Sequence, residues 1–408
     1  MAPLLRRVVA GDVTALLIDI GDVPECACND AIGDLFKALA EPSADSPDIW
    51  RPVENPYLSA HVEDVTRRFQ ALIAALQEAF TRALAGQPLD LGSLAKSDPV
   101  WLRWDEAAFL AVRERLESKP SALYDLDDWL TLADYLIHRY LPDGVIQTEA
   151  DYLTVRAALA GKIQATIDAQ ASAIHPDMAT AAVLIDLVPT TFRAIPERVL
   201  TQVETATLAV ARARAAENIS DLVASTRHRM KRIIIEHVQA QVLGQPEGLA
   251  LKQVLLDSFG TLNRDFRRIA VTEAGEACNQ GFITAQRPGQ QVRRQEAYRG
   301  ACPFCKAING KVYTVVDPAK PAKNGETEVW TGKTNIGRSA APRKRAGGFL
   351  VEREPHERWW PAAGLQHPHC RGSWSLVSKA PPNVSPQFAS WLDAKLASVM
   401  RLPATEAS

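Results

Sequence analysis

The sequence predicts an α+β protein that is mostly α-helical in its N-terminal region and ends in a small β-rich module containing cysteine and histidine. Two observations predict this division. Apolar residues recur at helical spacing in most segments between about residues 57 and 282. Past Gly289, glycine, proline, tryptophan, cysteine and histidine replace that periodicity, a composition typical of turns and short strands. The 408 residues, 47% of them hydrophobic, are enough for two or three domains with cores of their own.

An N-terminal segment and linker are predicted at residues 1–56. The first 40 residues alternate apolar and polar positions, and "EPSADSPDIWRPVENP" then places four prolines in a short polar stretch. Asp12 and Asp19 interrupt the early apolar run, which argues against a signal peptide. No run reaches the roughly 18 apolar residues needed to span a bilayer, so we expect no membrane contact.

A helical domain is predicted at residues 57–195. Its first helix, residues 62–85, carries an apolar stripe and is closed by Gly86 and Pro88. Further helical segments are predicted at 105–117, 125–141 and 149–175. Cys26 and Cys28 have no histidine or cysteine partners near them in the sequence, and we interpret them as incidental.

A long helix and a helical hairpin are predicted at residues 196–288. The long helix, 197–243, has one apolar stripe, and its basic run "RHRMKR" either contacts phosphates or is a solvated face. Two shorter helices are predicted after it, one from 249 to 259 that ends at Gly260 and one from 264 to 282.

The last predicted units are the Cys/His module, residues 289–378, and a C-terminal tail, residues 379–408. The module is basic: residues 281–380 contain 17 Lys/Arg and 7 Asp/Glu, a charge of about +10, whereas the whole chain is −2. The basic insertion "GRSAAPRKRAGGF" is predicted to be a surface loop, because glycine, proline and clustered cations disfavour a packed core.

Two short motifs predict a metal site. Cys302 and Cys305 have the spacing at which a tight turn directs two thiolates to one tetrahedral ion, and His367 and Cys370 repeat the same offset. Three thiolates and one imidazole favour structural zinc, although the spacer of roughly 60 residues makes the pattern less specific than a zinc finger. A redox pair and unpaired thiols are the alternatives.

The residues around the motifs predict strands. Asn309 and Gly310 favour a type I′ turn, Lys311 to Val316 alternate as a strand in a hairpin, and 373–377 make a closing strand. A hairpin after the cysteines argues against a thioredoxin-like site, which begins a helix.

The enzyme motifs that we considered do not fit. Gly332-Lys333-Thr334 resembles the end of a phosphate loop, but six residues separate it from Gly325 where four are required. The spare histidines His356 and His369 leave a metal-dependent nuclease as a minor alternative. We predict that the chain is not an enzyme.

The order of three motifs resembles the phage Mu protein F family of minor head, or head morphogenesis, proteins. The motifs are "RRIAVTE" on a helix, "ACPFCKAINGKVY" and "HPHCRG". The likeness covers roughly residues 215–378. It departs from the family pattern at His369, at Gly372, which replaces a final cysteine, and at Leu365-Gln366. The matching family motif residues are Arg268, Ile269, Ala270, Thr272, Glu273, Cys302, Cys305, Asn309, Gly310, His367, Pro368, Cys370 and Arg371.

This resemblance implies a minor head protein of a phage or prophage that acts in procapsid assembly near the portal, inside the head of a virion assembled in the bacterial cytoplasm. The expected partners are the portal protein and capsid and scaffold proteins, and packaged double-stranded DNA is a further candidate partner. The alternative is a zinc-containing DNA-binding protein or toxin-type effector. We expect Glu273 to form a structural salt bridge rather than act as a catalytic acid. The candidate DNA or partner contacts are Arg338, Arg343, Lys344 and Arg345.

Overall fold

The computed structural model describes residues 56–87, 106–169, 183–243, 251–298, 300–368, 370–377 and 383–401. The predicted N-terminal segment and linker, with Cys26 and Cys28, lie outside these ranges up to residue 55. A helical body precedes a four-stranded sheet and a separate β-hairpin, which confirms the predicted α+β class. The helices of the body are α1 (Pro56–Leu84), α2 (Glu106–Glu117), α3 (Leu126–Tyr140), α4 (Asp143–Ala169), α5 (Gln202–Val242) and α6 (Leu251–Thr284).

Local capping and long-range packing place these helices. Asp125 caps α3, and its carboxylate and that of Asp128 form a reciprocal capping box. Helix α6 packs most extensively on α4, and then on α5 and α1. The rings of Phe69 on α1 and Phe266 on α6 stack 3.5 Å apart inside the largest apolar cluster. The core of the body therefore lies around α6.

The predicted break at Gly260 is wrong, because α6 runs without interruption from Leu251 to Thr284. Phe259, Leu262 and Phe266 are buried on both sides of the glycine. An interior helical glycine costs about 1 kcal/mol relative to alanine, which is less than burying a single phenylalanine contributes. Burial of the apolar stripe therefore keeps α6 helical at Gly260.

Helices α4 and α6 approach each other closely through two glycines. A Cβ atom added to Gly161 would lie 1.9 Å from the carbonyl oxygen of Cys278, and one added to Gly281 would lie 2.1 Å from that of Ala158. Each glycine thus lets the backbone of the other helix pass where any side chain would clash. This crossing holds the C-terminal end of α6 against the body, next to the sheet.

The sheet has the strand order β3-β2-β1-β6. Strand β1 pairs antiparallel with β2 and β6, while β2 pairs parallel with β3. Trp374 and Tyr313 pack edge to face on the side that contacts α6 and α4. The predicted closing strand is present as β6. The strand bounds are β1 (Gln291–Gln295), β2 (Val312–Val315), β3 (Glu328–Val329) and β6 (Ser373–Leu376).

The basic insertion forms a hairpin of its own, made of β4 (Arg343–Ala346) and β5 (Phe349–Glu352). Its turn residues Gly347 and Gly348 have φ values of 59° and 86°, as a type I′ turn requires. The hairpin is exposed along most of its length, as predicted for this insertion, although it is a regular ribbon rather than a loop.

The C-terminal tail contains helix α8 (Pro386–Arg401). Phe388 and Leu392 are buried against α4, in a cluster with Leu159 and Ile163. Among the described residues, the helices are all too short or too polar to cross a membrane.

Candidate metal centre

The first cysteine pair lies at the start of a short helix, α7 (Pro303–Ile308). Cys302 is its N-cap residue, Pro303 occupies the first helical position, and the Cys305 backbone N–H donates to Cys302 Sγ. Proline is favoured there because its missing N–H would have no helical partner. One helical turn thereby turns both thiols toward the same side.

The predicted hairpin with a type I′ turn at Asn309-Gly310 is wrong, because the residues before it are helical. Asn309 has φ −60° and ψ 132°, Gly310 has φ 77°, and Lys311 N–H donates to the Ile308 carbonyl, which together define a type II turn. The argument against a redox site that relied on this hairpin therefore fails. The type II turn still serves the site, because Asn309 Oδ1 accepts a hydrogen bond from the Glu296 backbone at 2.7 Å.

His367 is fixed with one ring nitrogen directed at the cysteines. Its Nδ1 lies 2.8 Å from the Pro368 carbonyl oxygen, so Nδ1–H donates and Nε2 keeps its lone pair. Trp359 stacks on the imidazole, with ring centroids 5.4 Å apart and planes 12° apart. An oriented imidazole of this kind is what a metal site requires of a histidine ligand.

The four predicted ligands converge in a buried cluster. His367 Nε2 lies 3.4 Å from Cys302 Sγ and 3.3 Å from Cys305 Sγ. Cys305 Sγ lies 4.0 Å from Cys370 Sγ. Tetrahedral zinc with ordinary bond lengths separates its ligand atoms by about 3.6 to 3.8 Å. Cys302, Cys305 and His367 can therefore hold one metal ion with shifts of a few tenths of an ångström, whereas Cys370 lies in a second trio with Cys305 and Glu296 and must move further to join them.

Glu296 is a member of the cluster that the sequence did not indicate. Its carboxylate approaches Cys370 Sγ to 3.5 Å, and its oxygen, Cys305 Sγ and Cys370 Sγ form a second trio of close ligand atoms beside that of Cys302, Cys305 and His367. Arg294, also fully buried, donates to Glu296 at 2.7 Å. Glu296 has no characteristic sequence spacing to the cysteines. It follows directly after strand β1, and the position of this strand brings it to the cluster.

Gly372, which departs from the family pattern, is explained by the same carboxylate. A Cβ atom at this position would lie 2.1 Å from Glu296 Oε1. The Glu296 side chain thus occupies the space that a side chain at position 372 would need. A larger residue at 372 and the buried Arg294–Glu296 pair are mutually exclusive in this arrangement.

The electrostatics of the cluster favour thiolates at Cys302 and Cys370, whereas the hydrogen bonds to those two groups, and then burial, raise the pKa of Cys305. The hydrogen bond from Cys305, and then the proximity of His367, lower the pKa of the Cys302 thiol to about 4. Burial alone would raise the pKa of Cys370, but the Cys305 thiol, His367 and Arg294 lower it well below its usual range. Tyr298 Oη also donates to Cys370 Sγ at 3.3 Å. Thiolates are the form of cysteine that binds a metal.

Three side chains on one turn of α6 attach the module to the body. Glu276 accepts a hydrogen bond from the Leu365 backbone at 2.5 Å, Asn279 donates to the Gly372 carbonyl at 2.7 Å, and Gln280 accepts from the Gly332 backbone at 2.9 Å. The loop that carries His367 is therefore held by α6 as well as by the cluster.

Glu273 forms the expected salt bridge. Arg214 on α5 donates to one carboxylate oxygen at 2.8 Å, and Asn218 donates to the other at 3.0 Å. Burial raises the pKa of Glu273, which the nearby Arg214 opposes. Arg268 and Thr272 of the same helix line a cleft of about 670 Å³ between the body and the module.

The four candidate contact residues have different surroundings. Arg338 lies 3.3 Å from the Trp360 ring centroid and donates to the Arg358 carbonyl, so it is held within the module. Lys344 pairs with Glu357. Arg343 and Arg345 are exposed on β4. His369 lies outside the described residues, and Arg371 is half-buried beside Cys370.

Comparison with known proteins identified no matching family model, curated protein or solved structure.

Proposed function

We propose that this chain is a minor head protein of a tailed phage or prophage, that it acts in procapsid assembly, and that it is bound near the portal inside the head. The proposal rests on one observation: the three motifs lie close together in the structure, although they are up to a hundred residues apart in the chain. Arg268, Thr272 and Glu273 of the first motif line one cleft together with His367 and Pro368 of the third. The second motif contacts the third through the thiol cluster.

This proximity supports the resemblance, because it places residues of all three motifs at one junction between the body and the module. Glu276, one turn after the first motif on α6, binds the loop that leads into the third motif, and Cys305 of the second motif contacts His367 of the same loop. Asn309 and Gly310 join α7 to strand β1 through the Glu296 backbone and the Arg294 carbonyl. A rigid junction between a helical body and a small module suits a protein that docks rather than one that turns over a substrate.

The metal in this proposal is zinc, held by Cys302, Cys305, His367 and Cys370. Three thiolates and one imidazole form a donor set that suits zinc's preference for sulfur and nitrogen. Tyr298, through Cys370, and the Pro368 carbonyl, through His367, provide the outer hydrogen bonds that orient such ligands. The zinc is structural, since all four ligand positions are supplied by the protein and the cluster is buried.

The proposal is tested on phage heads from the strain that carries the gene. Heads purified after induction are analysed by quantitative mass spectrometry, and the gene is deleted in parallel. We expect a few copies of the chain per head, a fall in infectious particles on deletion, and rescue by the wild-type gene. Cys302→Ser/Cys305→Ser should not rescue, whereas Cys278→Ala, which removes a buried thiol outside the cluster, should. A chain absent from heads, with an unaffected titre in the deletion strain, contradicts the proposal.

A further inference from the structure

The hairpin of β4 and β5, residues 343–352, is here named the basic arm. Among the described residues, its two strands form a two-stranded sheet of their own. Four residues per strand give the ribbon a length of about 13 Å. Such a short ribbon is marginal in water by itself, and its sequence contains bulky apolar residues that the module does not cover.

The tip of the basic arm is apolar. Phe349 is 75% exposed and Leu350 is 66% exposed, directly after the two-glycine turn. Side chains of this size gain about 2 kcal/mol each when they are buried, so their exposure at the end of a ribbon indicates a partner. The tight type I′ turn keeps the two strands together up to the tip.

Behind the tip, the basic arm carries unneutralised positive charge. Arg345 lies opposite Leu350, and Arg343 lies opposite Glu352. Glu352 itself contacts Arg358 at 3.6 Å. Within the described part of the chain, Arg343 and Arg345 make no ion pair. Both guanidinium groups therefore face solvent on the same side of the ribbon as Leu350.

A second basic run gives a useful contrast. In "RHRMKR" on α5, Arg227 and Lys231 both donate to Asp134 of α3, at 2.6 and 2.8 Å. Two of the four Lys/Arg side chains in that run thus hold α3, and the other two, Arg229 and Arg232, lie on a helix face near Ile235, which is 43% exposed. That face lacks the pair of strongly exposed apolar side chains that accompanies the charge of the basic arm.

We propose that the basic arm binds duplex DNA in the minor groove, with Arg343 and Arg345 on the phosphates and Phe349 and Leu350 wedged at a base step. Apolar wedges backed by cations are how minor-groove proteins kink DNA. The arginines complement the phosphate charge, and no acidic side chain on the ribbon other than Glu352 opposes them. Binding is sequence-independent, because the groove edge is read only as shape and charge.

This inference deepens the proposed function, from which it takes only the source of the DNA. The test uses the purified full-length chain with a synthetic 20-base-pair duplex. Fluorescence anisotropy gives the affinity as a function of salt, and energy transfer between dyes at the duplex ends gives the bend. Phage heads are not required, so a head protein without a DNA arm and a DNA arm on another kind of protein give different results.

We expect wild type to bind and to bend the duplex. Arg343→Gln/Arg345→Gln should lower the slope of log affinity against log salt by about 2, and Arg343→Lys/Arg345→Lys should restore it. Phe349→Ser/Leu350→Ser should keep the slope and lose the bend. The control Arg229→Gln/Arg232→Gln removes the same charge from α5 and should change neither.

Three results would overturn the inference: no duplex binding by wild type at 50 mM salt, arm variants that bind and bend as wild type does, or an equal loss in the α5 control. If wild type does not bind the duplex and the arm variants are instead absent from purified heads, the basic arm binds a protein and the DNA proposal is wrong. The substituted side chains are exposed, and unchanged circular dichroism confirms that every variant is folded.

Discussion

Phe266 in the body and Cys305 in the module are both fully buried, but different kinds of interaction stabilise the structure around them. The body encloses a long apolar cluster that extends from α1 to α6. The cluster around Cys305 has six buried members, and three of them are cysteines. Arg294 and Glu296 are buried against it as a charged pair. Apolar area stabilises the body and the sheet of the module, whereas the buried groups around Cys305 are mainly thiols and a charged pair that could hold a metal ion.

The body and the module should therefore be sensitive to different kinds of substitution. Removing one methylene group from the body costs about 1 kcal/mol and leaves the surrounding apolar side chains in place. Near the thiols the module has few apolar neighbours, and without a metal ion three thiols and a carboxyl group would stay buried close together. Like charges in a dry site repel strongly.

Removing the metal should unfold the module and spare the body. Cys302→Ser/Cys305→Ser removes two of the four ligands, and structural zinc contributes on the order of 10 kcal/mol in small modules. Elemental analysis should give about one zinc per wild-type chain and none in the variant. Limited proteolysis should cut the variant within residues 289–378 while circular dichroism keeps its helical signal.

Cys278→Ala is the matched control for that experiment, because the Cys278 thiol is buried on α6 outside the cluster. It should keep its zinc and its resistance to proteolysis. Wild-type protein without any metal would contradict the zinc site, and a variant whose helices melt together with the module would contradict the division into two regions.

A single methyl group at the α4–α6 crossing should destabilise the body by about 3 kcal/mol. In Gly161→Ala the new Cβ would lie 1.9 Å from a backbone oxygen of α6, so the helices must separate. Gly260→Ala on the same α6 is the control, since nothing lies within 4 Å of its Cβ. It should stabilise by about 0.5 to 1 kcal/mol. Urea denaturation followed at 222 nm measures both, and equal effects would refute the close crossing.

The body should lose about 2 kcal/mol of stability between pH 7 and pH 5 through His61. Burial lowers the pKa of His61 to about 4, while its Nε2–H donates to the Leu153 carbonyl at 2.8 Å. The unfolded chain takes up a proton near pH 6.5 and the folded chain does not, so stability falls as pH decreases through this window. His61→Gln should flatten the profile of urea midpoints, and an unchanged slope would exclude His61 as the cause.

The smallest effect is expected at the pairing of α3 with α5. Asp134→Ala removes the acceptor of Arg227 and Lys231, all three of which are partly exposed. Such pairs contribute about 1 kcal/mol or less. Thermal denaturation should show a small drop that shrinks further at 1 M salt. Glu236→Ala, which removes an exposed pairing with Arg232, is the control and should be nearly silent.

Much of the metal centre could be predicted, and the reason is local. Cys302 with Cys305, and His367 with Cys370, are each close in sequence, so their spacing restricts where the ligand atoms can point. Glu296 and Tyr298 escaped prediction because strand pairing, rather than spacing, brings them to Cys370. The helical start at Cys302 was missed because the Asn309-Gly310 pair was interpreted as a different turn.

The helical body shows the same limit. Its apolar stripes predicted the helices, but the break at Gly260 was wrong, because burial on both sides outweighs the cost of one glycine. The type I′ hairpin expected at Asn309-Gly310 occurs instead at Gly347-Gly348. Local propensity offered several possible turn sites, and long-range pairing selected among them.

The fold class, the helical stripes, the two close pairs of candidate metal ligands and the charge of the module could be predicted, because each depends on residues that lie close together in the chain. The tertiary structure alone decided that Glu296 joins the thiols, that Gly161 and Gly281 let two helices touch, and that Glu276, Asn279 and Gln280 attach the module to α6. These contacts join residues far apart in the chain, and they contribute to stability only after folding has buried both partners together.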